Sequence, residues 1–226
     1  MSKILSDKKI TIAIDGPAGA GKTTIAQALS KKLNIMYLST GALYRAYAVK
    51  YLDNKLDINS PDVASKVAKE SDITVKFING TQHTFLDGKD VSSRLYNDEI
   101  SMISSTISKQ PVIRQSLKSL QQKIADEQSV IMDGRDIGSV VLPKADYKFY
   151  LDADVKVRAE RRFKQLLQKG EKANYDEVLQ DMINRDINDT TRNISPLKKC
   201  KDSIVIDCTN LGIDEVVNEF LKHIKG

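Results

Sequence analysis

The sequence predicts an α/β protein with a parallel β-sheet and a small antiparallel β insert. Three observations support this prediction. Short apolar runs rich in β-branched residues alternate with segments of helical periodicity. A glycine-rich turn joins the first of these runs to a helix. Residues 73–91 alternate instead with period two and contain two turn dipeptides. Alternating strands and helices favour parallel strands joined by right-handed crossovers.

Five runs have the composition of buried strands. The first, KKITIAIDG, ends at Asp15-Gly16, and NIMYLST is the next short apolar run along the chain. The third, SVIM, leads directly into the polar segment DGRD. The predicted strands cover residues 8–16, 34–40, 129–132, 146–153 and 203–207.

Helical periodicity fills most of the sequence between these strands. In the first helix Ile25, Ala28, Leu29 and Leu33 form one apolar stripe. Pro111 stands at the start of a later helix, which tolerates a missing N–H there. Gly170 follows the end of another. The predicted helices cover residues 19–33, 41–52, 97–108, 112–126, 155–169, 175–191 and 212–224.

Residues 73–91 predict an antiparallel meander. The stretch alternates apolar and polar residues and contains Asn79-Gly80 and Asp87-Gly88. Both dipeptides favour the tight turns that connect antiparallel strands. The meander interrupts an otherwise regular alternation of strand and helix, so we expect it to be an insert.

Composition limits the classes of function. The 226 residues are 41% hydrophobic and 29% charged, which is typical of a globular protein. The net charge of +5 suits nucleic acid or a ligand with several phosphates. With no Trp, 8 Tyr and 5 Phe, aromatic platforms for stacking bases are few. We therefore expect small phosphorylated ligands and no nucleic-acid partner.

The remaining bulk features predict a cytoplasmic protein. Cys200 and Cys208 form no CxxC pair, so we interpret them as reduced thiols without a metal or disulfide role. His83 and His223 are too few and too far apart to indicate a metal site. The first residues, MSKILSDKKITIAIDG, lack the apolar region of a secretory signal. No run approaches the ~20 apolar residues of a membrane span.

Residues 16–23, GPAGAGKT, match the phosphate-loop (P-loop) pattern G-x-x-x-x-G-K-[ST] between a strand and a helix. Glycines let backbone amides surround an anion, and the helix N-terminus adds its positive dipole end. Lys22 suits the β- and γ-phosphates of ATP, and the Thr23 hydroxyl suits Mg²⁺. The predicted ATP contacts in the loop are Gly16, Pro17, Ala18, Gly19, Ala20, Gly21, Lys22, Thr23 and Thr24.

Two other classes of P-loop protein fit the sequence less well. A GTPase would use an N-K-x-D motif to bind guanine, and Asn54-Lys55-Leu56-Asp57 has that form. It lies about 30 residues past the P-loop, after a helix, and the sequence contains no D-x-x-G, so we treat it as a coincidence. A nucleic-acid-dependent ATPase would need a strand ending in paired acids, which the sequence lacks.

Polar residues that follow two predicted strands indicate a second, anionic substrate. Arg45 lies shortly after NIMYL, and Arg135 lies in DGRD after SVIM. Ligands of open α/β sheets bind outside the carboxyl ends of strands. Arginines there suit the phosphate of an acceptor. Asp15 and Asp133, also at strand ends, are candidates to orient Mg²⁺-bound water.

The segment RDINDTTR supplies a third group of charges. Arg185, Asp189 and Arg192 fall at i, i+4 and i+7, which predicts one shared helix face. Alone, this spacing is more typical of a solvated surface. With the P-loop, Arg45 and DGRD already indicating an anionic acceptor, it favours a binding face.

The chain resembles bacterial cytidylate kinases, a family of nucleoside monophosphate kinases. The resemblance covers nearly the whole length and rests on these segments, in order: IDGPAGAGKTT, TGALYRA, DGKDVSSRL, PVIRQSL, DGRDIGSVVLP, FYLDADVKVRAERR and RDINDTTR. It implies an α/β P-loop NTPase fold, with a five-stranded parallel sheet flanked by helices, a small antiparallel β insert and a short helical lid. The implied reaction is ATP plus CMP or dCMP giving ADP plus CDP or dCDP, with Mg²⁺.

The resemblance also implies roles for individual residues. Arg45, Arg135 and Arg192 would grip the acceptor phosphate; Ser105, Arg114 and Asp136 would recognise cytosine; Arg185 and Asp189 would contact the pentose. Arg158, Arg161 and Arg162 would begin the lid over ATP. We predict Lys22, Arg135 and Arg192 as catalytic, and Thr23 and Asp133 at Mg²⁺. The predicted CMP contacts are Thr40, Arg45, Ser105, Arg114, Asp133, Arg135, Asp136, Arg185, Asp189 and Arg192.

The expected organisation is a single kinase domain over residues 1–226, acting as a monomer. Its core would comprise residues 1–60, 111–157 and 173–226, its acceptor-binding insert 61–110 and its lid 158–172. Two positions depart from the family pattern. Ser39 stands where relatives usually have Asp, and Tyr96 where they commonly have Arg. The first could change the hydrogen bonds near Arg45, and the second removes one positive charge from the acceptor-binding insert.

Overall fold

The computed structural model describes residues 9–224, which fall into two compact units. The P-loop unit contains the residues up to 35 and those from 129 onward, and the meander unit contains residues 36–128. Residues 1–8 lie outside the described part of the chain, as do 225 and 226. The predicted lack of a signal segment and the first residue of the first predicted strand therefore concern residues that are not described.

Strands and helices are numbered along the whole chain. The strands are β1 Thr11–Asp15, β2 Met36–Ser39, β3 Ile73–Ile78, β4 Thr81–Leu86, β5 Lys89–Asp90, β6 Val130–Gly134, β7 Tyr147–Asp152 and β8 Ile204–Asp207. The α-helices are α1 Lys22–Leu33, α2 Thr40–Asp53, α3 Pro61–Glu70, α4 Asp98–Ile107, α5 Pro111–Glu127, α6 Val155–Gln168, α7 Tyr175–Thr191 and α8 Ile213–His223.

The predicted parallel sheet is confirmed. In the P-loop unit β6, β1, β7 and β8 are neighbours in that order, and every pair is parallel. The remaining strand of the five-stranded sheet is β2. Ile12 and Ile14 of β1 are fully buried, as expected for a central strand covered on both faces. The ends of β1 and β6 lie side by side, since Asp15 pairs with Gly134.

Local signals account for where several helices begin and end. In α1 the αL conformation of Asn34 closes the last turn. The predicted apolar stripe of α1 is correct at Ile25, Leu29 and Leu33, but Ala26 is buried and Ala28 only partly so. Helix α7 begins where the Asn174 side chain accepts the amides of the first turn.

The meander unit contains the predicted antiparallel insert. Strands β3, β4 and β5 form their own three-stranded sheet with antiparallel pairing. Asn79 and Asp87 both adopt positive φ, 52° and 50°, so the two turns have the left-handed conformation that their dipeptides predict. Helices α2, α3, α4 and α5 share one apolar core with this sheet, in which Tyr47 and Tyr51 are almost fully buried.

Besides a three-residue 3₁₀ helix at Ser92–Arg94, two elements were not predicted from the sequence. Helix α3 begins with the Ser60 side chain as its N-cap and Pro61 at its first position, and it buries Ala64 and Val67. These are ordinary start signals, so the sequence does contain the information. The second is a π-helical turn over residues 137–141, directly after DGRD. Its wider hydrogen bonds have no recognisable sequence signal.

Among residues 9–224, no helix combines the length and apolar character needed to cross a membrane.

Candidate active site

The P-loop runs from the end of β1 to the start of α1 and passes very close to its neighbours. A Cβ atom added to Gly16 would lie 2.0 Å from the backbone oxygen of Leu151, so β7 leaves no room for a side chain. Gly19 adopts φ +74°, and a Cβ there would lie 2.5 Å from Cε of Met182 on α7. Gly16 therefore requires glycine because backbone occupies the space of a side chain, whereas Gly19 favours glycine because of its positive φ.

Lys22 lies inside the loop rather than on its surface. Its Nζ donates to the backbone oxygens of Gly16 and Pro17 at 2.8 and 2.6 Å. Burial lowers the pKa of Lys22 well below its ordinary value, and the nearby charge of Arg135 lowers it further. The carboxylates of Asp133, Asp189 and Asp15 act in the opposite direction. The ammonium group is thus at the centre of a cluster of charged side chains.

Thr23 at the start of α1 and Asp133 in β6, the two residues assigned to Mg²⁺ from the sequence, lie in contact. The Thr23 hydroxyl donates to Oδ2 of Asp133 at 3.0 Å. A hydroxyl and a carboxylate are hard oxygen donors, so this pair suits Mg²⁺ that keeps several waters and binds phosphate oxygens. No cluster of three or more His, Cys, Asp or Glu suited to a metal occurs within 9–224. The donor set fits a nucleotide-associated Mg²⁺ better than an all-protein site.

Asp15 holds the segment that follows DGRD. Its two carboxylate oxygens accept the amides of Ile137 and Gly138, both at 2.8 Å, at the start of the π-helical turn. Burial raises the pKa of Asp15 to about 6, although these two amides lower it. The charge of Asp136 raises the pKa and that of Lys22 lowers it. Asp15 therefore orients the DGRD loop from the end of the adjacent strand.

The raised pKa of Asp15 gives a pH-dependent stability. Between its unfolded pKa of 3.8 and its folded pKa of about 6, the folded protein holds the proton more tightly. The contribution of Asp15 to stability therefore falls as pH rises through this window. From about pH 4 to about pH 7 the loss is about 2 kcal/mol. Asp15→Asn should lack this slope in urea titrations, and identical slopes for both proteins would contradict the assignment.

Arg135 of the DGRD loop pairs with Asp189 of α7. Its Nε donates to Oδ2 of Asp189 at 2.6 Å, and both side chains are mostly buried. Burial alone would lower the pKa of Arg135, but the charge of Asp189 raises it overall. Burial would likewise raise the pKa of Asp189, and the charge of Arg135 lowers it overall. The pair places a guanidinium beside the Lys22 cluster.

The predicted grouping of charges in RDINDTTR agrees with the electrostatics, because the charges of Arg185 and Arg192 both lower the pKa of Asp189. Helix α7 ends at Thr191, and Arg192 is its C-cap, after which the chain leaves the helix. Arg192 instead donates from Nε to the Ser195 backbone oxygen at 2.7 Å, and its Nη2 lies 3.8 Å from Asp136 Oδ1. Arg185 is exposed, one turn before Asp189. The structure thus groups Arg192 with Asp136, and Asp189 with Arg135.

Arg158 and Arg161, predicted at the start of a lid, both contact backbone of the P-loop unit. Arg158 is 4% exposed, and its guanidinium donates to the backbone oxygen of Ala18 at 2.9 Å. Arg161 donates to the backbone oxygens of Cys208 and Thr209 at 2.9 and 3.4 Å. Arg162 is half-buried on the same helix. Arg158 in particular lies beneath the phosphate loop, where a surface lid residue would not be.

Sequence reasoning missed Cys208 as a neighbour of the P-loop. The buried Cys208 thiol donates to the backbone oxygen of Ala20 at 3.3 Å. The two residues are 188 positions apart, and a single cysteine after a predicted strand has no distinguishing pattern. Its position at the carboxyl end of β8 was the only available signal.

In the meander unit, Arg45 lies on the first turns of α2. Its guanidinium stacks over the ring of Tyr96 at 5.2 Å, and its Nη1 lies close to Gly41 at the start of the helix. Tyr96, one of the two positions that depart from the family pattern, therefore supplies an aromatic surface for this arginine. At Ser39, the other such position, the backbone amide donates to the Gln82 side chain at 2.7 Å. The adjacent predicted contact, Thr40, is buried.

Ser105 and Arg114 lie on either side of the α4–α5 connection. Arg114 is buried, and its Nη1 donates to the Ser108 backbone oxygen at 3.1 Å. The Ser108 hydroxyl in turn donates to the backbone oxygen of Ser105 at 2.8 Å. The Arg114 guanidinium also lies 5.7 Å from the centre of the Tyr44 ring. The fold thus brings these two predicted base-recognition residues to the same turn.

The N-K-x-D segment has local structural roles. The Asn54 side chain donates to the Lys50 backbone oxygen at the end of α2. Asp57 accepts the amide of Asn59 at 2.9 Å, which forms a short polar turn. These contacts are those of a helix end followed by a loop, in agreement with the interpretation of the motif as a coincidence.

A phosphate loop at the end of a central parallel strand, with Lys22, Thr23 and charged partners around it, defines a P-loop protein. A solved structure of an uncharacterized protein from Eubacterium ventriosum has a similar fold, with a TM-score of 0.52 and 15% identity, over 96% of this chain and 98% of that one.

The chain belongs to the cytidylate kinase family, which matches residues 12–226. It is 45% identical over 215 residues to a cytidylate kinase of Caldicellulosiruptor saccharolyticus, covering 95% of each chain. It is 42% identical over 219 residues to one of Clostridium perfringens, covering 97% of this chain and 99% of the relative. The family is therefore the one that the sequence motifs resemble.

Proposed function

We propose that this protein transfers the terminal phosphoryl group of ATP to CMP or dCMP, giving ADP and CDP or dCDP. The observation that carries the proposal is the family match, which extends from β1 to the C-terminus. The charge cluster of Lys22, Arg135 and Asp189 supports it, because a phosphoryl transfer between two anions needs cations at the reacting groups.

Recognition of cytosine would use complementary hydrogen bonds. Cytosine presents an amino donor at N4 and acceptors at N3 and O2, so its reader needs an acceptor beside a donor. We assign these roles to Ser105, Arg114 and Asp136. Uracil has O4 and N3–H instead and would leave buried polar groups unpaired, which is the basis of strong discrimination.

The transfer itself requires no general base. An oxygen of the CMP phosphate is already anionic, and it attacks the γ-phosphorus in line with the departing oxygen of ADP. One P–O bond forms and the bond to the β,γ-bridging oxygen breaks. Lys22, Arg135 and Arg192 bind and orient the phosphates and neutralise their charge. Arg45 contributes a further cation for the acceptor phosphate, and Arg185 and Asp189 bind the pentose.

Thr23 and Asp133 would hold Mg²⁺, directly or through water. When bound with ATP, the ion supplies charge neutralisation at the β- and γ-phosphates. The Thr23–Asp133 hydrogen bond supports this assignment, because it shows the two oxygens side by side next to the P-loop.

We further propose a cytoplasmic monomer in which residues 61–110 bind the acceptor and 158–172 close over ATP. Closure would exclude water and limit hydrolysis of ATP. Within this proposal Arg161 and Arg162 remain candidates for lid contacts with ATP, since both are partly exposed on α6.

A coupled assay of ADP release, with CMP, dCMP, UMP, AMP and GMP in turn, tests the proposed reaction. CMP and dCMP should have the highest kcat/KM, and AMP and GMP should fall below them by roughly 10²-fold or more.

Arg114→Met should reduce the preference for CMP over UMP while leaving KM for ATP unchanged. Equal rates with CMP and AMP would contradict the cytidylate assignment, and ATP hydrolysis stimulated by RNA or DNA would favour the nucleic-acid-dependent class.

A further inference from the structure

Two side chains from the second half of the chain hold backbone carbonyls of the phosphate loop. Nη1 of Arg158 donates to the oxygen of Ala18 at 2.9 Å, and the thiol of Cys208 donates to the oxygen of Ala20 at 3.3 Å. Both residues are buried, with 4% and 3% of their surface exposed. The loop is therefore supported from behind at two alternate residues.

This support has a direct consequence for the amides of the loop. In a planar trans peptide the carbonyl and the following N–H point in opposite directions, and the described chain has no cis peptide. Fixing the Ala18 oxygen therefore fixes the direction of the Gly19 amide, and fixing the Ala20 oxygen fixes that of Gly21. Such amides are the groups with which a P-loop binds phosphate.

The two glycines could not hold these orientations alone. Gly19 and Gly21 adopt φ values of +74° and +89°, and glycine has the widest choice of backbone conformations. Each of these peptide units joins an alanine to a flexible glycine, and the entropy cost of ordering it would otherwise reduce the affinity for the ligand. Side chains that hold the carbonyls in advance remove this cost.

Arg158 is itself rigidly held. Its Nε donates to the Ala153 backbone oxygen at 2.8 Å, and its Nη2 donates to Oδ2 of Asp186 at 2.6 Å. Each of the three guanidinium nitrogens thus has a different partner, and Asp186 balances the buried charge. Met182, one turn before Asp186 on α7, packs beside Gly19. A lysine has no planar fork and could not make these three contacts.

The position of Cys208 is fixed through its backbone. Arg161 donates to the Cys208 backbone oxygen at 2.9 Å, which fixes the turn after β8. The thiol is a weak donor that serine can replace with a stronger one and that alanine removes. Cys208→Ser and Cys208→Ala are therefore a matched pair of substitutions, because both change the side-chain volume little and only the second removes the donor.

We propose that Arg158, held by Asp186, and Cys208 are positioning residues that orient the Gly19 and Gly21 amides toward the phosphates of ATP. The inference rests on the proposed function only in taking ATP as the ligand of the loop. Both residues contact the loop through its backbone oxygens. Loss of either should weaken the binding of ATP and leave the binding of CMP unchanged.

Calorimetric titration of the full chain with Mg-ATP and, separately, with CMP tests this. Cys208→Ala should raise the Kd for ATP roughly three- to tenfold, the worth of one hydrogen bond. Cys208→Ser should restore it to within about twofold. Arg158→Lys should raise it by roughly tenfold or more, since it loses several contacts at once. The matched control is Cys200→Ala, which removes the thiol of a partly buried cysteine in the segment before β8 and should leave both affinities unchanged.

Three results would overturn the proposal: an unchanged Kd for ATP in Cys208→Ala and Arg158→Lys, an equal loss of CMP and ATP binding, or no recovery in Cys208→Ser. If Arg158→Lys does not fold, the Cys208 pair decides alone. Because the readout is binding, a wild-type protein that binds ATP but does not phosphorylate CMP would refute the proposed reaction and leave this measurement valid.

Discussion

Lys22→Met is expected to lower kcat by roughly 10³-fold, the effect of removing one preorganised cation from a phosphoryl-transfer site. Nζ of Lys22 already lies within the loop, bonded to the oxygens of Gly16 and Pro17. The charge is thus in place before the reaction and needs no reorganisation. Methionine has a similar length and no charge, so it keeps most of the packing but removes the charge and the two hydrogen bonds to the loop oxygens.

The stability of Lys22→Met separates catalysis from folding. Burial disfavours the charged form of Lys22, which favours an apolar replacement, whereas the two lost hydrogen bonds and the nearby carboxylates oppose it. The midpoint of Lys22→Met in urea should therefore stay close to that of the wild type, and its Kd for CMP should be unchanged. A fall in kcat of less than tenfold, measured by ADP release at saturating ATP, would show that Lys22 is not the principal cation at the transferred group.

Sequence patterns predicted the features that depend on neighbouring residues. The turns at Asn79-Gly80 and Asp87-Gly88, the helix start at Pro111 and the end of β1 at Asp15 all follow from local backbone preferences. The P-loop was predictable for the same reason, because its pattern, its preceding strand and its following helix are contiguous in the sequence.

Features that depend on distant contacts were not predictable in the same way. Asp15 accepts amides more than 120 residues away, and Arg158 contacts Ala18 at a separation of 140. The periodicity of the sequence predicted that Arg158 lies on a helix, but it did not predict which way the side chain points. At Arg192 the spacing predicted the proximity to Asp189, whose pKa the charge of Arg192 lowers, but it did not predict that α7 ends at Thr191 or that Arg192 donates to Ser195.

Arg135→Met is expected to have the second large effect, on both activity and stability. If Arg135 binds the acceptor phosphate as proposed, loss of this guanidinium should lower kcat/KM for CMP by roughly 10³-fold, since a cation at that phosphate disappears. It also leaves Asp189 as a mostly buried carboxylate without its principal partner. Leaving such a charge uncompensated should lower the free energy of unfolding at pH 7 by about 2 kcal/mol.

The double variant Arg135→Met/Asp189→Asn distinguishes these two effects. Removing the second charge should recover most of the lost stability, while kcat/KM stays low because no cation has returned.

The pH dependence gives an independent check of the same pair. In the wild type the charge of Arg135 outweighs burial and keeps the pKa of Asp189 below its ordinary value. The pair therefore stabilises the protein above the unfolded pKa of 3.8, and this contribution is lost as pH falls through the folded pKa. In Arg135→Met, burial acts without that opposition and raises the pKa, so acidification should narrow the stability gap between this variant and the wild type. A gap that stays constant with pH would mean that the two side chains do not interact electrostatically in solution.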